Sequence, residues 1–353
     1  MTLSTRRVVQ FSEPHSAELI EEPVSDLGPD QVRVQTVMSA VSPGTERLVY
    51  QGLAPSGLSA DASIEALSGG LTYPVQYGYA AVGRVVAVGE TVSKNWVGER
   101  VFSFQPHTTS FVATPDELVR LPSSIRLRDA VMIPSLETAA NLVMDGGPVL
   151  GERVVVFGQG IVGLLTTALL SRFPVEHVFV VEPVSERRAL AIEWGADHGF
   201  DPRGGKDALH EALDIHDAEE TVEVEKNVYQ GADLVFELSG VPSVVNDAIS
   251  ATGYGGRVII GSWYGDKEAP IRLGGRYHRS RIQIKSSQVS SIDPEHRGRW
   301  TKGRRMDLVL RVLDSLQPGD LITDEYRLEE APEAYSQLGR ETGAPVQPVF
   351  LYE

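Results

Sequence analysis

The stretch VVVFGQGIVGLL, residues 154–165, joins an apolar run to a glycine-rich turn and a second apolar run. Gly158, Gly160 and Gly163 have the spacing G-x-G-x-x-G. In this spacing the first glycine permits a tight turn, the second lets the backbone approach a pyrophosphate, and the third lets a helix pack on the preceding strand. The stretch therefore predicts a strand, a dinucleotide-binding turn and a helix.

A carboxylate follows the next apolar run. HVFVVE ends at Glu182, 19 residues after Gly163. A carboxylate in this position accepts hydrogen bonds from the adenosine ribose hydroxyls and repels a 2′-phosphate. The spacing favours NAD as the cofactor. NADP stays open, because Arg187 or Arg188 could reach a 2′-phosphate.

The pattern of apolar and polar residues changes near residue 135. RVVVFG, HVFVVE, ADLVFELSG and GRVIIGS alternate with longer amphipathic segments, which predicts an α/β fold with a doubly wound parallel sheet. The first ~120 residues have short alternating runs broken by glycine and proline, which predict a β-rich, barrel-like domain. We therefore predict a dinucleotide-binding domain over residues 136–288. A catalytic domain is predicted over residues 1–135, completed by residues 289–353.

Composition limits the partners. The chain of 353 residues has 32 basic and 48 acidic side chains, a net charge of −16, which argues against nucleic acid or an anionic membrane as a partner. Only six basic residues are lysine. Such an acidic, arginine-preferring composition is typical of proteins that work in concentrated salt, although an ordinary acidic enzyme is the alternative. With no cysteine, no membrane-length apolar run and no secretion signal, we expect a cytoplasmic protein.

Several segments together resemble the medium-chain dehydrogenase/reductase superfamily, the zinc alcohol dehydrogenase-like proteins, over essentially the whole chain. They are SPGTERLVYQG, GYAAVGRVVAVGETV, VGERVF, LETAANLV, GADLVFELSG and GGRVIIGSWYG. The resemblance implies a Rossmann domain, a GroES-like catalytic domain, a small-molecule substrate bound in the cleft between them, and a homodimer or homotetramer. The residues expected to contact the cofactor are Thr138, Gly158, Gly160, Ile161, Val162, Gly163, Glu182, Arg187, Ser239, Gly240, Gly261 and Ser262.

The zinc ligands of that superfamily are missing. Zinc members use a cysteine before a G-T/S-D pattern, a G-H-E pattern and a later cysteine or aspartate; here the matching positions hold Pro43, Tyr79 with Ala80, and Pro134. These side chains cannot form a zinc site. The chain looks like a zinc-free branch, similar to bacteriochlorophyllide dehydrogenase and to dehydrogenase-like proteins of sugar and polysaccharide pathways. This resemblance suggests a secondary alcohol and ketone pair on a bulky or polar substrate.

Three residues are candidates for catalysis. Thr45 matches the family hydroxyl that touches the substrate oxygen and the nicotinamide ribose, whereas Leu48 replaces the family's relay histidine. Tyr79 stands where the ligand histidine stood, and it could act as a general acid/base or simply fill the space left by zinc. Glu137 could be a general base, a salt-bridge partner or a charge near a helix N-terminus.

Three further features remain open. The basic run HRGRWTKGRR, residues 296–305, could bind an anionic substrate group or form surface ion pairs. His107 is expected at the surface or in a hydrogen bond rather than on a metal. The glycine- and alanine-rich residues 51–72 predict a lid or a disordered surface loop.

The sequence thus predicts a zinc-independent NAD(P)-linked oxidoreductase that moves a hydride between nicotinamide and a carbonyl or secondary alcohol. One alternative is an NAD(P)H-dependent reductase of enone or quinone double bonds, in which a conjugated carbonyl accepts hydride without a metal. The other is a dinucleotide-binding protein without turnover.

Overall fold

The computed structural model describes residues 5–55, 69–215, 230–338, 340 and 345–353. Most of the expected lid or surface loop, residues 56–68, lies outside the described residues. The strands are β1 (Thr5–Glu13), β2 (Ser16–Pro23), β3 (Val32–Ala40), β4 (Val75–Gln76), β5 (Ala81–Val88), β6 (Arg100–Ser103), β7 (Ser110–Ala113), β8 (Val119–Arg120), β9 (Arg153–Phe157), β10 (His177–Val181), β11 (His198–Phe200), β12 (Ala232–Glu237), β13 (Thr252–Ile260), β14 (Gln283–Ser286), β15 (Asp324–Arg327) and β16 (Pro348–Leu351).

The α-helices of the described residues separate these strands. They are α1 (Thr45–Tyr50), α2 (Leu127–Ala130), α3 (Ile133–Gly146), α4 (Ile161–Leu170), α5 (Ser185–Glu193), α6 (Asp207–Ala212), α7 (Val245–Ala251), α8 (Arg276–Arg279), α9 (Lys302–Leu316) and α10 (Ala331–Gln337). None of the helices in the described part of the chain is both long and apolar enough to cross a membrane.

The chain divides into two compact units. The first unit is Met1–Pro134 with Asp307–Glu353, and the second is Ser135–Met306. Residues 289–306, which the sequence-based division assigned to the catalytic domain, therefore lie in the second unit.

The second unit is built on a parallel six-stranded sheet in the order β11-β10-β9-β12-β13-β14. Its centre is β9, whose residues RVVVF are all buried, as expected for a strand covered on both faces. Val155 pairs with Phe179 of β10 on one side and with Val235 of β12 on the other. From β9 the sheet grows in one direction through β10 and β11 and in the other through β12, β13 and β14. Dinucleotides bind at the carboxyl ends of the strands at such a point, where the strand order reverses.

The core of the second unit explains why this sheet holds its register. Buried Val155, Val235 and Val258 pack in one cluster with Ala248 and Ile249 of α7. Each fully buried aliphatic side chain of this size contributes about 1.5–3 kcal/mol relative to an exposed one. A one-residue slip of any strand would turn these side chains to the opposite face.

The first unit is mainly antiparallel. Its larger sheet follows the path β15-β16-β3-β5-β6-β8, with β7 paired to β3, and β2-β1-β4 form a smaller sheet. β3 alternates buried and more exposed residues from Val32 to Thr36, then is buried from Met38 to Ala40. There Phe350 of the C-terminal strand β16 pairs with Ser39. The predicted α/β fold, with a Rossmann-type parallel sheet and a separate β-rich domain, is confirmed.

Candidate functional site

Two glycines of the turn after β9 are required by the protein's own packing. Gly158 has φ +88°, and a Cβ there would lie 2.7 Å from the Leu238 carbonyl oxygen. A Cβ on Gly163 would lie 2.0 Å from the carbonyl oxygen of Gly158. Any side chain at these positions would strain the turn or push α4 away from β9.

Gly160 is different. Its φ of −70° and ψ of −176° are open to any residue, and beyond its neighbours in the chain no atom of the described residues lies within 4 Å of a Cβ built there. Neither backbone strain nor packing within the chain explains the glycine, so the empty space next to it fits an external group. α4 begins at Ile161 without a side-chain cap, which leaves the first-turn N–H groups, including that of Val162, without a capping side chain. Such a helix start is suited to a pyrophosphate.

Glu182 lies at the carboxyl end of β10 and is only 3% exposed. Its Oε2 accepts a hydrogen bond from the Gln159 N–H at 2.7 Å, and its Oε1 accepts one from the Val184 N–H at 3.0 Å. The carboxylate therefore ties the glycine turn to the loop before α5. It occupies the position expected for a ribose contact, with acceptor capacity left on each oxygen.

The cofactor residues predicted after β12 and β13 lie around a buried carboxylate that was not predicted from the sequence. Fully buried Glu237 accepts hydrogen bonds from the Ser239 N–H at 2.9 Å and from the Tyr264 hydroxyl at 2.5 Å. The Ser262 hydroxyl accepts a hydrogen bond from the Gly240 N–H at 2.9 Å. Burial and the neighbouring carboxylate raise the pKa of Tyr264, so its hydroxyl stays protonated and donates.

The remaining predicted cofactor residues lie on the same unit. A Cβ on Gly261 would lie 2.6 Å from the side chains of Leu142 and Leu238, so packing requires that glycine. Thr138 is half-buried on α3, and Arg187 is half-buried on α5. Of the predicted cofactor residues, Glu182 is itself one of the two buried carboxylates at the ends of β10 and β12, and Ser239 donates to the other, Glu237.

Glu137 lies on α3 and is paired with Arg305. The Arg305 Nε and Nη2 both donate to Glu137 Oε1, at 3.1 and 3.0 Å. Arg305 also donates to the Asn141 side chain, to the Val289 carbonyl at 2.5 Å and to the Ser291 carbonyl at 3.4 Å. The guanidinium is only 1% exposed, so this is a buried, hydrogen-bonded ion pair within the second unit.

This pair corrects one sequence-based interpretation. The basic run was expected to bind an anion or to form surface ion pairs, but Arg305, its last residue, is buried against Glu137. Burial raises the pKa of Glu137, and the charge and hydrogen bonds of Arg305 oppose that rise. Of the three roles left open for Glu137, the structure shows the salt bridge.

Thr45 and Tyr79 lie in the first unit. Thr45 is the first residue of α1 and is half-buried, with no hydrogen-bond partner for its hydroxyl among the described residues. Tyr79 is also half-buried, with its ring at 89° to that of Tyr77 and 6.2 Å away. Between the two tyrosines Gly78 has φ +114°, and a Cβ there would lie 2.7 Å from the His107 ring.

His107 belongs to a buried polar cluster that the sequence did not reveal. Its Nε2 lies 2.9 Å from Glu46 Oε2, and its Nδ1 lies 2.7 Å from the Ser39 hydroxyl. The Tyr335 hydroxyl donates to the same Glu46 oxygen at 2.5 Å, and the Tyr352 hydroxyl lies 2.7 Å from the Ser39 hydroxyl. Glu46 and His107 are both 0% exposed, so the hydrogen-bonded role expected for His107 is the one it has.

The cluster contains the carboxylate directly after Thr45 and an imidazole packed on Gly78, directly before Tyr79, so it fixes the backbone next to each of these two candidate catalytic residues. Burial and the Glu46 carboxylate raise the pKa of Tyr335 well above its ordinary value, which keeps its hydroxyl a donor. The only sequence signal for this cluster was a glutamate directly after a helix-starting threonine.

The positions that match zinc ligands do not fit a zinc ion. Pro43, Ala80 and Pro134 have no donor atom in their side chains, and Tyr79 offers a single phenol. Zinc in related proteins is held by cysteine, histidine and carboxylate side chains. Within residues 5–55, 69–215, 230–338, 340 and 345–353, no group of three or more His, Cys, Asp or Glu side chains could hold a metal ion.

Comparisons with known proteins find similarity to dehydrogenases. Residues 162–303 match the family described as zinc-binding dehydrogenase. The chain is 25% identical over 267 residues to D-guloside 3-dehydrogenase of Escherichia coli K12. This alignment covers 74% of the chain and 73% of that protein. It is 27% identical over 301 residues to sorbitol dehydrogenase 1 of Saccharomyces cerevisiae, covering 75% and 78%.

A solved structure shares the whole fold. An alcohol dehydrogenase from Escherichia coli CFT073, complexed with NADH, superposes with a TM-score of 0.76 over 99% of this chain and 100% of that one. Its sequence is 19% identical, so this likeness supports the fold rather than a shared substrate.

Proposed function

We propose that this chain, an NAD(P)-dependent oxidoreductase whose residues 162–303 match the zinc-binding dehydrogenase family, works without zinc and prefers NAD. The proposed reaction moves a hydride between the nicotinamide and a carbonyl or secondary alcohol of a polar substrate. One observation carries this proposal. A complete dinucleotide turn, with open space at Gly160, occurs in a chain whose zinc positions are proline, tyrosine and alanine.

When bound, the nicotinamide would donate or accept the hydride, and residues of the chain would bind and orient the cofactor. The turn at Gly160 and the uncapped start of α4 would hold the pyrophosphate, and Glu182 would accept hydrogen bonds from the adenosine ribose. Relatives named as guloside and sorbitol dehydrogenases support a polyol or sugar-like alcohol as the substrate class.

The oxygen of the substrate needs a hydrogen-bond donor in place of zinc. We propose Thr45 and Tyr79 for that role, because both are half-buried hydroxyl residues at or next to the vacated ligand positions. Donors fixed at an oxygen that gains negative charge during the reaction lower the barrier in this way. For Glu137 the ion pair with Arg305 favours a structural role, since both N–H donors on its Oε1 would compete with a proton.

NADH is expected to bind more tightly than NADPH by about tenfold or more, because Glu182 repels a 2′-phosphate. Gly160→Val should bind neither cofactor measurably while keeping the wild-type melting temperature, since its side chain enters only the open space. Gly204→Ala, also in open space on the same unit, is the matched control and should bind as the wild type does. Fluorescence titrations measure all of these. Equal or tighter NADPH binding would contradict the NAD preference.

Turnover is tested by screening secondary alcohols and ketones of sugars and polyols, together with enones, against both cofactors. The screen is run at low and at molar potassium chloride, because salt screens the repulsion of a chain with net charge −16. We expect alcohol or ketone turnover that a zinc chelator leaves unchanged, and less than one zinc per chain by elemental analysis. One tightly held zinc per chain, or activity lost to the chelator, contradicts zinc independence. Turnover of enones alone favours double-bond reduction, and cofactor binding without any turnover favours the non-catalytic alternative.

A further inference from the structure

A second carboxylate stands beside Glu182 at the same edge of the parallel sheet. Val181, the last residue of β10, pairs with Phe200, the last residue of β11. The residues that follow, Glu182 and Asp201, are therefore neighbours, and the Glu182 N–H donates to the Phe200 carbonyl at 3.0 Å. Asp201 thus lies next to the position proposed for the adenosine ribose.

Asp201 binds Arg203 through both of its oxygens. Its Oδ1 accepts from the Arg203 Nε at 2.9 Å and from the Arg203 N–H at 3.0 Å, and its Oδ2 accepts from Nη2 at 2.7 Å. The same Nη2 also donates to the Pro183 carbonyl in the loop after β10. Asp201 therefore holds the Arg203 guanidinium flat against that loop.

Asp201 also faces a second arginine. Arg188 of α5 donates from Nη1 to the Glu182 carbonyl at 2.6 Å and to the Pro183 carbonyl at 2.9 Å. That nitrogen lies 3.3 Å from Asp201 Oδ2. One carboxylate thus bridges two guanidinium groups beside the position proposed for the adenosine ribose.

The charges of the four side chains in this network cancel. Glu182 and Asp201 contribute two negative charges, and Arg188 and Arg203 contribute two positive ones. Hydrogen bonds from Arg203 are the main cause that holds the pKa of Asp201 below its ordinary value, so the carboxylate is ionised at neutral pH. Removing the charge of Asp201 would leave this network with a net positive charge. Such a network would attract a 2′-phosphate, which carries a charge of about −1.5 to −2.

We propose that Asp201 is a cofactor-specificity residue, which favours NAD by holding Arg188 and Arg203 on the loop backbone and neutralising them. The proposal rests on the nicotinamide cofactor of the proposed function. It differs from the repulsion by Glu182, because Asp201 acts through the two arginines. Without its charge, the guanidinium groups are able to form charge-assisted hydrogen bonds with a 2′-phosphate.

The experiment compares dissociation constants of NADH and NADPH for the wild type and Asp201→Asn. Asparagine keeps an oxygen that can accept the Arg203 N–H, so the local turn should survive. We expect the NADPH-to-NADH ratio of dissociation constants to fall by about tenfold, mainly through tighter NADPH binding. The change should shrink in molar salt. Asp201→Ser removes the same charge with another capping side chain and should give the same shift.

Asp197→Asn is the matched control, because Asp197 precedes β11 whereas Asp201 follows it, and the substitution removes the same charge at the opposite end of that strand. It should leave the ratio unchanged. Adding Arg188→Ala and Arg203→Ala to Asp201→Asn should return the ratio toward the wild-type value. An unchanged ratio in Asp201→Asn with NADH binding retained, or an equal shift in Asp197→Asn, overturns the inference alone. A wild type that binds neither NADH nor NADPH overturns the proposed function, and this inference with it.

Discussion

Arg305→Met is expected to lower the free energy of unfolding by about 3–5 kcal/mol, because it leaves Glu137 as an uncompensated buried charge. The guanidinium makes hydrogen bonds to Glu137, Asn141 and two backbone carbonyls, and methionine replaces none of them. Chemical denaturation followed by fluorescence measures the change.

The control for this variant is the neighbouring residue. Arg304 is exposed and lies over the Trp300 ring, with 4.2 Å between the guanidinium carbon and the ring centroid. Arg304→Met should cost no more than about 1 kcal/mol, the value of an exposed cation–π contact. The double variant Arg305→Met with Glu137→Gln should recover part of the loss, since no buried charge remains. Equal losses at positions 304 and 305 would contradict the buried ion pair.

The loss in Arg305→Met should depend on pH in a definite direction. Burial already raises the pKa of Glu137 in the folded protein, and removing the arginine that opposes this effect raises it further. A carboxyl whose folded pKa lies above its unfolded value destabilises the fold at high pH and ceases to do so as it becomes protonated. The difference from the wild type should therefore be largest at high pH and decrease as the pH falls from the pKa of Glu137 in the variant toward its lower pKa in the wild type.

Tyr79→Phe is expected to lower kcat by about a hundredfold on a substrate found in the screen. The phenylalanine ring keeps the packing against Tyr77, so cofactor affinity should barely change. Only the hydroxyl that would stabilise the developing charge on the substrate oxygen is lost, and one such donor contributes about 3 kcal/mol to transition-state stabilisation. Steady-state kinetics, with the cofactor dissociation constant measured separately, test this expectation.

Two further variants sharpen the comparison. Thr45→Val removes the second proposed donor, and because both hydroxyls act on one oxygen, the double variant should be little worse than the poorer single one. Tyr50→Phe is the matched control, since the Tyr50 hydroxyl donates to the His15 carbonyl, and it should keep near-full turnover. Near-full turnover in Tyr79→Phe would make that tyrosine a space-filling residue.

Elements whose requirements are local could be predicted well. The strand β9, the turn at Gly158 and Gly163 and the helix α4 follow one another directly in the chain, and the atom that leaves no room for a side chain at Gly163 is the Gly158 carbonyl oxygen of the same stretch. The predicted position of Glu182 at the end of β10 also holds, because a parallel strand of five residues after a crossover helix brings its last residue to the same edge.

Contacts between distant parts of the chain could not be predicted from spacing. His107 and Tyr335 are 61 and 289 residues from Glu46, yet all three side chains meet in one buried cluster. Arg305 is 168 residues from Glu137, and its basic neighbours in the sequence suggested a surface position. A single sequence does not specify which of several arginines is buried.

The sequence by itself determined the α/β fold, the dinucleotide turn and the lack of zinc-ligand side chains at the matching positions, because each depends on residue types at fixed short spacings. Only the tertiary structure decided that Glu137 pairs with Arg305 and that Asp201 stands beside Glu182. The reason is physical. Burial gives a charged side chain its partner, and burial depends on how strands and helices far apart in the chain pack together.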